Sequence, residues 1–199
     1  MSAPDRLRRL AAHERRWMRS LALWAVRRRD GVGEGDTAFG YARAQAPTSY
    51  GLVFVFAVET VGVSFLLAPY PAAHLVMLVL DLYTVLLVLG LHAAAVTRPH
   101  VVGPGGVRVR YRASLDLWVP AALIASARVE TRFPDANRVE EGVLEVAVAA
   151  QTSVTLELAR PVTAVGLWGR RRRVRSVRLH ADEPRAAVAA VRELLAERR

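Results

Sequence analysis

The feature that most constrains this chain is a long stretch without a basic residue. Between Gln45 and Thr97 there is no arginine or lysine, and the only acids are Glu59 and Asp81. The chain has 199 residues, is 53% hydrophobic and carries a formal net charge of +10. Its apolar residues are therefore concentrated in one part of the sequence, and its arginines lie on both sides of that part.

Two segments of this stretch are long enough to cross a membrane. A bilayer core of about 30 Å needs about 20 apolar residues in a helix, and residues 51–68 and 73–96 meet that requirement. Pro69, Tyr70 and Pro71 lie between them, where prolines end a helix and a tyrosine suits the headgroup level. The sequence predicts a transmembrane helical hairpin within residues 50–97. The first segment begins too far into the chain, behind a charged region, to be a cleaved signal peptide.

The arginines on either side of the hairpin set its predicted orientation. They are absent from the turn between the two segments and frequent outside them, at Arg27, Arg28, Arg29 and Arg43 before the hairpin and at Arg98, Arg108 and Arg110 after it. Cytoplasmic flanks of membrane helices are enriched in basic residues. We therefore expect a multi-pass protein of the bacterial inner (plasma) membrane with both termini in the cytoplasm.

The first 30 residues have the periodicity of an amphipathic helix. One face carries the apolar side chains Leu7, Leu10, Trp17, Met18, Leu21 and Trp24, and the other carries Arg8, Arg9, Arg15, Arg16, Arg19 and Arg27. Such a helix either lies in the membrane interface or packs on the chain's own cytoplasmic domain or a second subunit. Residues 31–49, rich in glycine, alanine and proline, are predicted to form a flexible linker.

After Arg98 the sequence alternates between apolar and polar residues, which is typical of strands with one buried face. Residues 107–113 are the clearest case, with Val107, Val109, Tyr111 and Ala113 predicted to face inward and Arg108, Arg110 and Arg112 to face water. Further strands are expected near residues 100–102, 115–119, 124–133, 143–149, 153–159 and 174–180. A final helix follows, with Asp182 as N-cap, Pro184 in its first turn and a buried stripe of Val188, Val191, Leu194 and Leu195.

Several motifs of this region together resemble a known family. They are residues 102–110 (VGPGGVRVR), 118–126 (WVPAALIAS), 154–158 (VTLEL), Pro161-Val162 and 174–184 (VRSVRLHADEP). In these the chain resembles actinobacterial membrane proteins that carry a bacterial pleckstrin-homology-like (PH-like) domain behind two transmembrane helices. The resemblance implies that residues 98–199 form a partly open antiparallel β-barrel of about seven strands capped by the C-terminal helix, and it brings no catalytic motif. The expected fold class is an α+β membrane protein.

Polar residues within the predicted hairpin are the first candidates for function. Glu59 and Asp81 each lie about eleven residues from the turn, so both sit about 16 Å deep, near the bilayer centre. His74, Asp81 and His92 fall on one face of the second helix. These groups either hold the hairpin or a homo-oligomer together, helped by Gly62, or belong to a transport or proton path.

A basic segment near the C-terminus is the second candidate. Its residues Arg170, Arg171, Arg172, Arg173 and Arg175, together with Trp17 and Trp24 of the first helix, are predicted to contact anionic lipid. The alternative is a solvated hairpin loop whose arginines follow the positive-inside bias. We expect no nucleic-acid partner, because the charge comes without an RNA-binding motif.

Sequence motifs of enzymes are missing. The chain has no cysteine, five scattered histidines, and none of the phosphate-loop, serine-hydrolase or zinc-protease patterns, so we expect no catalytic residue, no metal and no cofactor. The function expected is a non-enzymatic, membrane-anchored binding or scaffold protein. Its PH-like domain would engage a protein partner or anionic headgroups at the cytoplasmic face, and homo-oligomers are also expected. The alternative is an accessory subunit of a membrane transporter or membrane enzyme, with Glu59 and Asp81 at its interface.

Overall fold

The computed structural model describes residues 3–134, 139–140, 142–165 and 171–197. The helices are α1 (Ala3–Ala25), α2 (Ala46–Leu66), α3 (Pro71–Thr97) and α4 (Pro184–Ala196). The strands are β1 (Thr37–Phe39), β2 (His100–Gly103), β3 (Gly106–Tyr111), β4 (Leu115–Pro120), β5 (Ile124–Arg132), β6 (Val139–Glu140), β7 (Val143–Val146), β8 (Thr152–Val165) and β9 (Arg171–Leu179). Short 3-10 helices span Arg43–Gln45 and Ala121–Leu123.

Helices α2 and α3 form the hairpin that the sequence predicts. Each begins with a proline in its first turn, where the missing N–H is not needed. The half-buried residues of α2 lie at positions 46, 49, 53, 56, 60, 63 and 64, the spacing of one helix face, whereas its other residues are exposed. The spans Arg43–Leu66 and Pro71–Thr97 are both long and apolar enough to cross a membrane.

Helix α1 packs along α3, and the two helices run in the same direction. The indole of Trp17 is only 3% exposed and lies against Gly90, so closely that a methyl group at Gly90 would overlap the ring. The Tyr83 hydroxyl donates a hydrogen bond of 2.6 Å to the Glu14 carboxylate. α1 therefore packs mainly on the hairpin rather than on the β-region, which it contacts through the hydrogen bond from Arg16 to the Ala113 carbonyl. Its placement in the membrane interface stays a prediction.

The apolar face of α1 is narrower than predicted. Leu21 and Trp24 are half-buried beside α3, whereas Met18 and Leu10 are exposed, and the side chain of Leu7 lies outside the described residues. Ser20 is buried instead, and its hydroxyl donates to the Arg16 carbonyl at 2.9 Å. The helix is thus rotated so that part of its polar face also meets the rest of the chain.

Residues 31–49 are not the flexible tether that their composition predicts. β1 pairs with β2, Phe39 opposite His100, and adds an edge strand to a sheet. Tyr41 is fully buried, and its hydroxyl accepts a 2.7 Å hydrogen bond from the backbone N–H of Arg112. The prediction fails because a few aromatic and apolar residues are enough to order a Gly-rich segment when a strand edge and a cavity are available.

The β-region consists of two sheets. One has the order β1-β2-β3-β4, and the other has the order β5-β8-β9-β7-β6, in which β7 and β9 are parallel and the other pairs antiparallel. The predicted strands are all present, although β8 extends beyond its predicted end through Pro161. The predicted barrel is not present, because in the described residues the two sheets form separate ladders that do not close.

The main core lies between these sheets and α4. Val109, Val119, Val174 and Val177 are fully buried within it, and the predicted stripe of α4 covers it at Val188, Val191 and Leu194, with Leu195 half-buried beside it. Asp182 does not cap α4, because Glu183 occupies the N-cap position. The Asp182 carboxylate instead accepts a hydrogen bond from the backbone N–H of Arg43 at 3.2 Å.

Arg110 departs from the predicted alternation of β3. Its side chain is only 1% exposed, because the chain between α1 and β1 covers this face of the strand. The guanidinium donates to the carbonyl of Asp30 at 2.7 Å. A face expected to meet water is thus covered by a segment 80 residues earlier in the chain.

Replacing Gly90 with alanine should loosen α1 from α3. A methyl group at Gly90 overlaps the Trp17 ring, and such overpacking costs about 1–3 kcal/mol. In detergent micelles we expect trypsin to cleave after Arg15, Arg16 and Arg19 about tenfold faster in this variant. Gly62→Ala is the matched control, because a methyl group there meets no atom within 4 Å. Equal cleavage rates in the two variants would contradict the packing described.

Buried His100 should make the domain sensitive to mild acid. Burial lowers the pKa of its imidazole to about 4, and the ring accepts a hydrogen bond from the Arg110 N–H at 3.1 Å. The unfolded chain takes up the proton near pH 6.5. The stability that depends on a neutral His100 is therefore fully present above pH 6.5 and is lost as the pH falls towards 4, about 3 kcal/mol in all. Denaturant unfolding in detergent at pH 7.5 and pH 5.0 should show about 2 kcal/mol of this loss, and less in His100→Gln. The same loss in both proteins would exclude His100 as its source.

Candidate functional site

The hairpin and the β-region meet at a short, rigid connection. α3 ends at Thr97 and β2 begins at His100, so only Arg98 and Pro99 separate them. Pro99 disfavours a helical conformation at the residue before it, which ends α3. Arg98 is thereby fixed where α1, α3 and the first sheet come together, and its side chain is only 6% exposed.

The Arg98 guanidinium contacts three parts of the chain at once. It donates to the Arg112 carbonyl at 2.7 Å and to the Asp116 carboxylate at 2.9 Å. Its Nε lies 3.6 Å from the carboxylate of Asp30, whose backbone N–H donates to the carbonyl of Thr97. A planar guanidinium with donors on several sides suits such a junction better than an ammonium group does.

Two carboxylates are shared among the surrounding arginines. Asp116 accepts two hydrogen bonds from Arg108, at 2.7 and 2.9 Å, and lies 3.8 Å from Nε of Arg110. Burial alone raises the pKa of the Asp116 carboxyl, but the hydrogen bonds from Arg108 and the neighbouring guanidinium charges outweigh it and hold the pKa below its usual range. Asp30 in turn pairs with Arg19 at 3.1 Å.

We call this group the junction cluster. It consists of Arg16, Arg19, Arg98, Arg108, Arg110, Asp30 and Asp116. Five guanidiniums against two carboxylates leave three positive charges in excess. The cluster borders a cleft of about 200 Å³ that is lined by Arg16, Arg19, Ser20 and Leu23 of α1, by Arg98, and by Asp30 and Asp116.

The polar residues predicted inside the hairpin do not form one site. Glu59 is exposed on α2, and Asp81 is half-buried on α3, where its Oδ2 is covered but has no hydrogen-bond partner among the described residues. The hydrogen bonds and ion pairs of the described residues include none between these two side chains. Gly62 does not tighten the hairpin, since a methyl group there would meet open space.

The two histidines of α3 have different surroundings. His74 is half-buried near the turn. His92 is 4% exposed, and its ring centre lies 4.8 Å from that of Tyr50 and 6.0 Å from that of Trp24. His92 thus fills the contact among α1, α2 and α3.

The predicted lipid-contact residues have mixed placements. Trp17 is covered by α3, so it has no surface to offer to lipid, and that prediction is wrong because α1 packs inward. Trp24 is half-buried. Arg171, Arg172 and Arg173 begin β9, and Arg175 follows on the same strand, all exposed and without an ion pair among the described residues, while Arg170 lies outside them. Contact of these arginines with lipid stays a prediction.

The junction cluster is what sequence reasoning missed. Its members come from α1, from the segment after it, from the end of α3 and from β3 and β4, and the sequence brings none of them together. The available signal was that Arg98 is the first charge after the apolar stretch and that Asp116 is an isolated acid following three alternating arginines.

Comparison with protein-family models, with curated proteins and with solved structures finds no match to this chain. Its function has to be argued from its own geometry.

Removing Arg98 should destabilise the fold far more than removing Arg19. Both arginines pair with Asp30, but Arg98 is 6% exposed and Arg19 is 68% exposed. Breaking a buried pair costs about 3–5 kcal/mol and an exposed one up to about 1 kcal/mol. Because its carboxylate partners are partly exposed, we expect about 2–3 kcal/mol for Arg98→Met and less than about 1 kcal/mol for Arg19→Met in denaturant unfolding of the full chain in detergent. Similar losses in the two variants would show that Arg98 does not hold α1, α3 and the first sheet together.

Proposed function

We propose that this chain is a non-enzymatic, membrane-anchored binding or scaffold protein. Helices α2 and α3 cross the bacterial inner membrane, and the region from Arg98 onwards lies on the cytoplasmic face as a PH-like domain. There it engages anionic lipid headgroups or a protein partner. The two open sheets with a C-terminal helix packed over their core support the PH-like part of the proposal.

The observation that carries this proposal is a change of burial along α3. From Gly90 to Thr97 its residues are mostly buried by the rest of the chain, whereas most of the large apolar side chains before Gly90 are exposed. On α3 they include Leu75, Val76, Val79, Leu80, Leu82 and Leu86, and on α2 they include Leu52, Phe54, Val55, Val58, Val61, Phe65 and Leu66. An exposed apolar surface of this extent, confined to one end of a protein, marks contact with lipid or with another protein.

The length of this surface supports lipid as the main contact. Residues 71–89 of α3 rise about 28 Å, close to the thickness of a bilayer core. Exposed tyrosines lie at its two ends, Tyr50 near the start of α2 and Tyr70 in the turn. Apart from those in the first half of α1, the arginines of the described chain lie beyond the domain end of this surface, and none lies at the turn, which favours a cytoplasmic domain.

The first half of α1 needs a different position in a bilayer. Trp17 is level with Gly90, so residues before Trp17 run beside the part of α3 that faces lipid. Arg8 and Arg15 are exposed there, and a charge at the bilayer centre costs about 2.5–3.5 kcal/mol on insertion scales. We expect the part of α1 before Glu14 to tilt into the headgroup layer. Glu14, whose carboxylate accepts the hydrogen bond from Tyr83, and the residues after it stay packed on α3.

The competing proposal is an accessory subunit of a membrane transporter or membrane enzyme. Glu59 on the exposed side of α2 and the unpartnered Oδ2 of Asp81 favour it, because carboxylates at this depth need a partner or a proton. Purification from native membranes in mild detergent separates the two: a stoichiometric multi-span protein in the eluate would favour the subunit.

Labelling of single cysteines tests the membrane placement. The chain has no native cysteine, so each substitution gives one reporter. With a membrane-impermeant maleimide we expect Tyr70→Cys to react in intact bacterial spheroplasts, and Glu34→Cys and Ser126→Cys to react only after lysis. All three positions are exposed, so differences in labelling report the side of the membrane.

The opposite pattern of labelling would overturn the orientation. Recovery of the unlabelled chain in the soluble fraction, with all three cysteines equally reactive after lysis, would overturn the membrane proposal itself.

A further inference from the structure

The junction cluster carries more positive charge than the fold uses. Asp30 and Asp116 already share their oxygens among Arg19, Arg98 and Arg108, and the buried Nε of Arg110 has no hydrogen-bond partner within the described residues. A guanidinium has five N–H donors, and both Arg16 and Arg19 use one of theirs, on the Ala113 carbonyl and on Asp30. Within the described residues, most donors of the two α1 arginines therefore have no partner.

The cleft beside these donors has the size and charge for a small anion. Its volume is about 200 Å³, room for roughly six waters at about 30 Å³ each, or for a phosphate group with a few waters. Arg98 lines the inner side of the cleft and is nearly buried. Its charge is therefore less screened by solvent than the charge of a surface arginine. Phosphate oxygens match the planar fork of arginine donors.

The position of the cleft indicates where the phosphate would come from. Arg16 is adjacent to Trp17, which is level with Gly90, the edge of the lipid-facing surface. Arg98 lies eight residues further along α3, about 12 Å from that edge. The cleft therefore extends outward from the hydrocarbon boundary through the layer that phospholipid headgroups occupy.

We propose that the cleft between α1 and the first sheet binds the phosphate group of an anionic lipid headgroup. Arg16 and Arg19 contact the phosphate, Ser20 borders it, and Arg98 and Arg110 supply buried positive charge behind them. This inference rests on the proposed membrane placement for the source of the phosphate, but not for the phosphate chemistry itself.

The cleft differs from the exposed arginines of β9. Arg171, Arg172, Arg173 and Arg175 are exposed side chains that attract an anionic surface as a whole. The junction cluster instead combines a cavity, buried arginines and competing carboxylates. It should therefore bind one headgroup at one place.

A binding assay on the full chain in dodecyl maltoside tests this site. The probes are dihexanoyl phosphatidylglycerol, dihexanoyl phosphatidylcholine and inorganic phosphate, each titrated below its micelle concentration where it has one. We expect the phosphatidylglycerol probe to bind at least tenfold more tightly than the phosphatidylcholine probe. The double variant Arg16→Gln, Arg19→Gln should lose at least tenfold in affinity for phosphatidylglycerol.

The matched control is Arg8→Gln, Arg15→Gln, which makes the same charge change on the same helix away from the cleft. It should bind phosphatidylglycerol within twofold of the unmodified protein. Equal weakening in the two double variants, or equal binding of the two lipid probes, would overturn the site.

Asp30→Asn gives a test in the opposite direction. The Asp30 carboxylate competes with the phosphate for Arg19 and Arg98, so its removal should raise the affinity severalfold. Weaker binding by a folded Asp30→Asn protein would contradict the proposal, even if the arginine variants failed to fold.

The probes also separate the source of the phosphate. Inorganic phosphate that binds as tightly as the lipid probe and displaces it would support a phosphate site and assign it to a soluble ligand. A chain that spans the membrane in the labelling experiment but binds no probe would overturn this inference alone. A cleft that binds phosphate in a chain that does not span would overturn the membrane proposal alone.

Discussion

The structure depends on one nearly buried cation at the end of α3. Removing Arg98 from water is unfavourable by itself, and the fold offsets that cost with a carbonyl of the β3–β4 turn and carboxylates from two separate segments. Those partners come from the chain after α1 and from the first sheet. The same ion therefore holds the segment after α1 in place, orients the first sheet against the hairpin, and brings the arginines around the cleft together.

The sequence predicted the parts of the fold that depend on local patterns. The hairpin follows from two apolar runs separated by prolines, and the strands from Val107 onwards follow from alternation. β1 escaped prediction because Thr37–Phe39 is short and lies among glycines, so its identity depends on the edge of β2 rather than on its own residues. The burial of Arg110 was not predicted for the same reason, because it depends on the segment at Asp30 rather than on the residues of β3.

The candidate site was less predictable than the fold. Asp30 and Arg98 are 68 residues apart in the chain, and no periodicity connects them. Reasoning from the sequence directed attention to arginine density at residues 170–175 and to the acids of the hairpin, because a run or an unusual residue is visible locally. A site assembled from arginines of α1, of β3 and of the connection after α3 becomes visible only once packing brings them together.

The two-residue connection between α3 and β2 has a mechanical consequence. Membrane helices respond to bilayers of different thickness by changing their tilt. Because the ion pairs around Arg98 leave little freedom between the hairpin and the first sheet, a change of tilt in the proposed membrane placement would rotate the whole β-region with it. The height and inclination of that region above the membrane would then follow the thickness of the surrounding lipid.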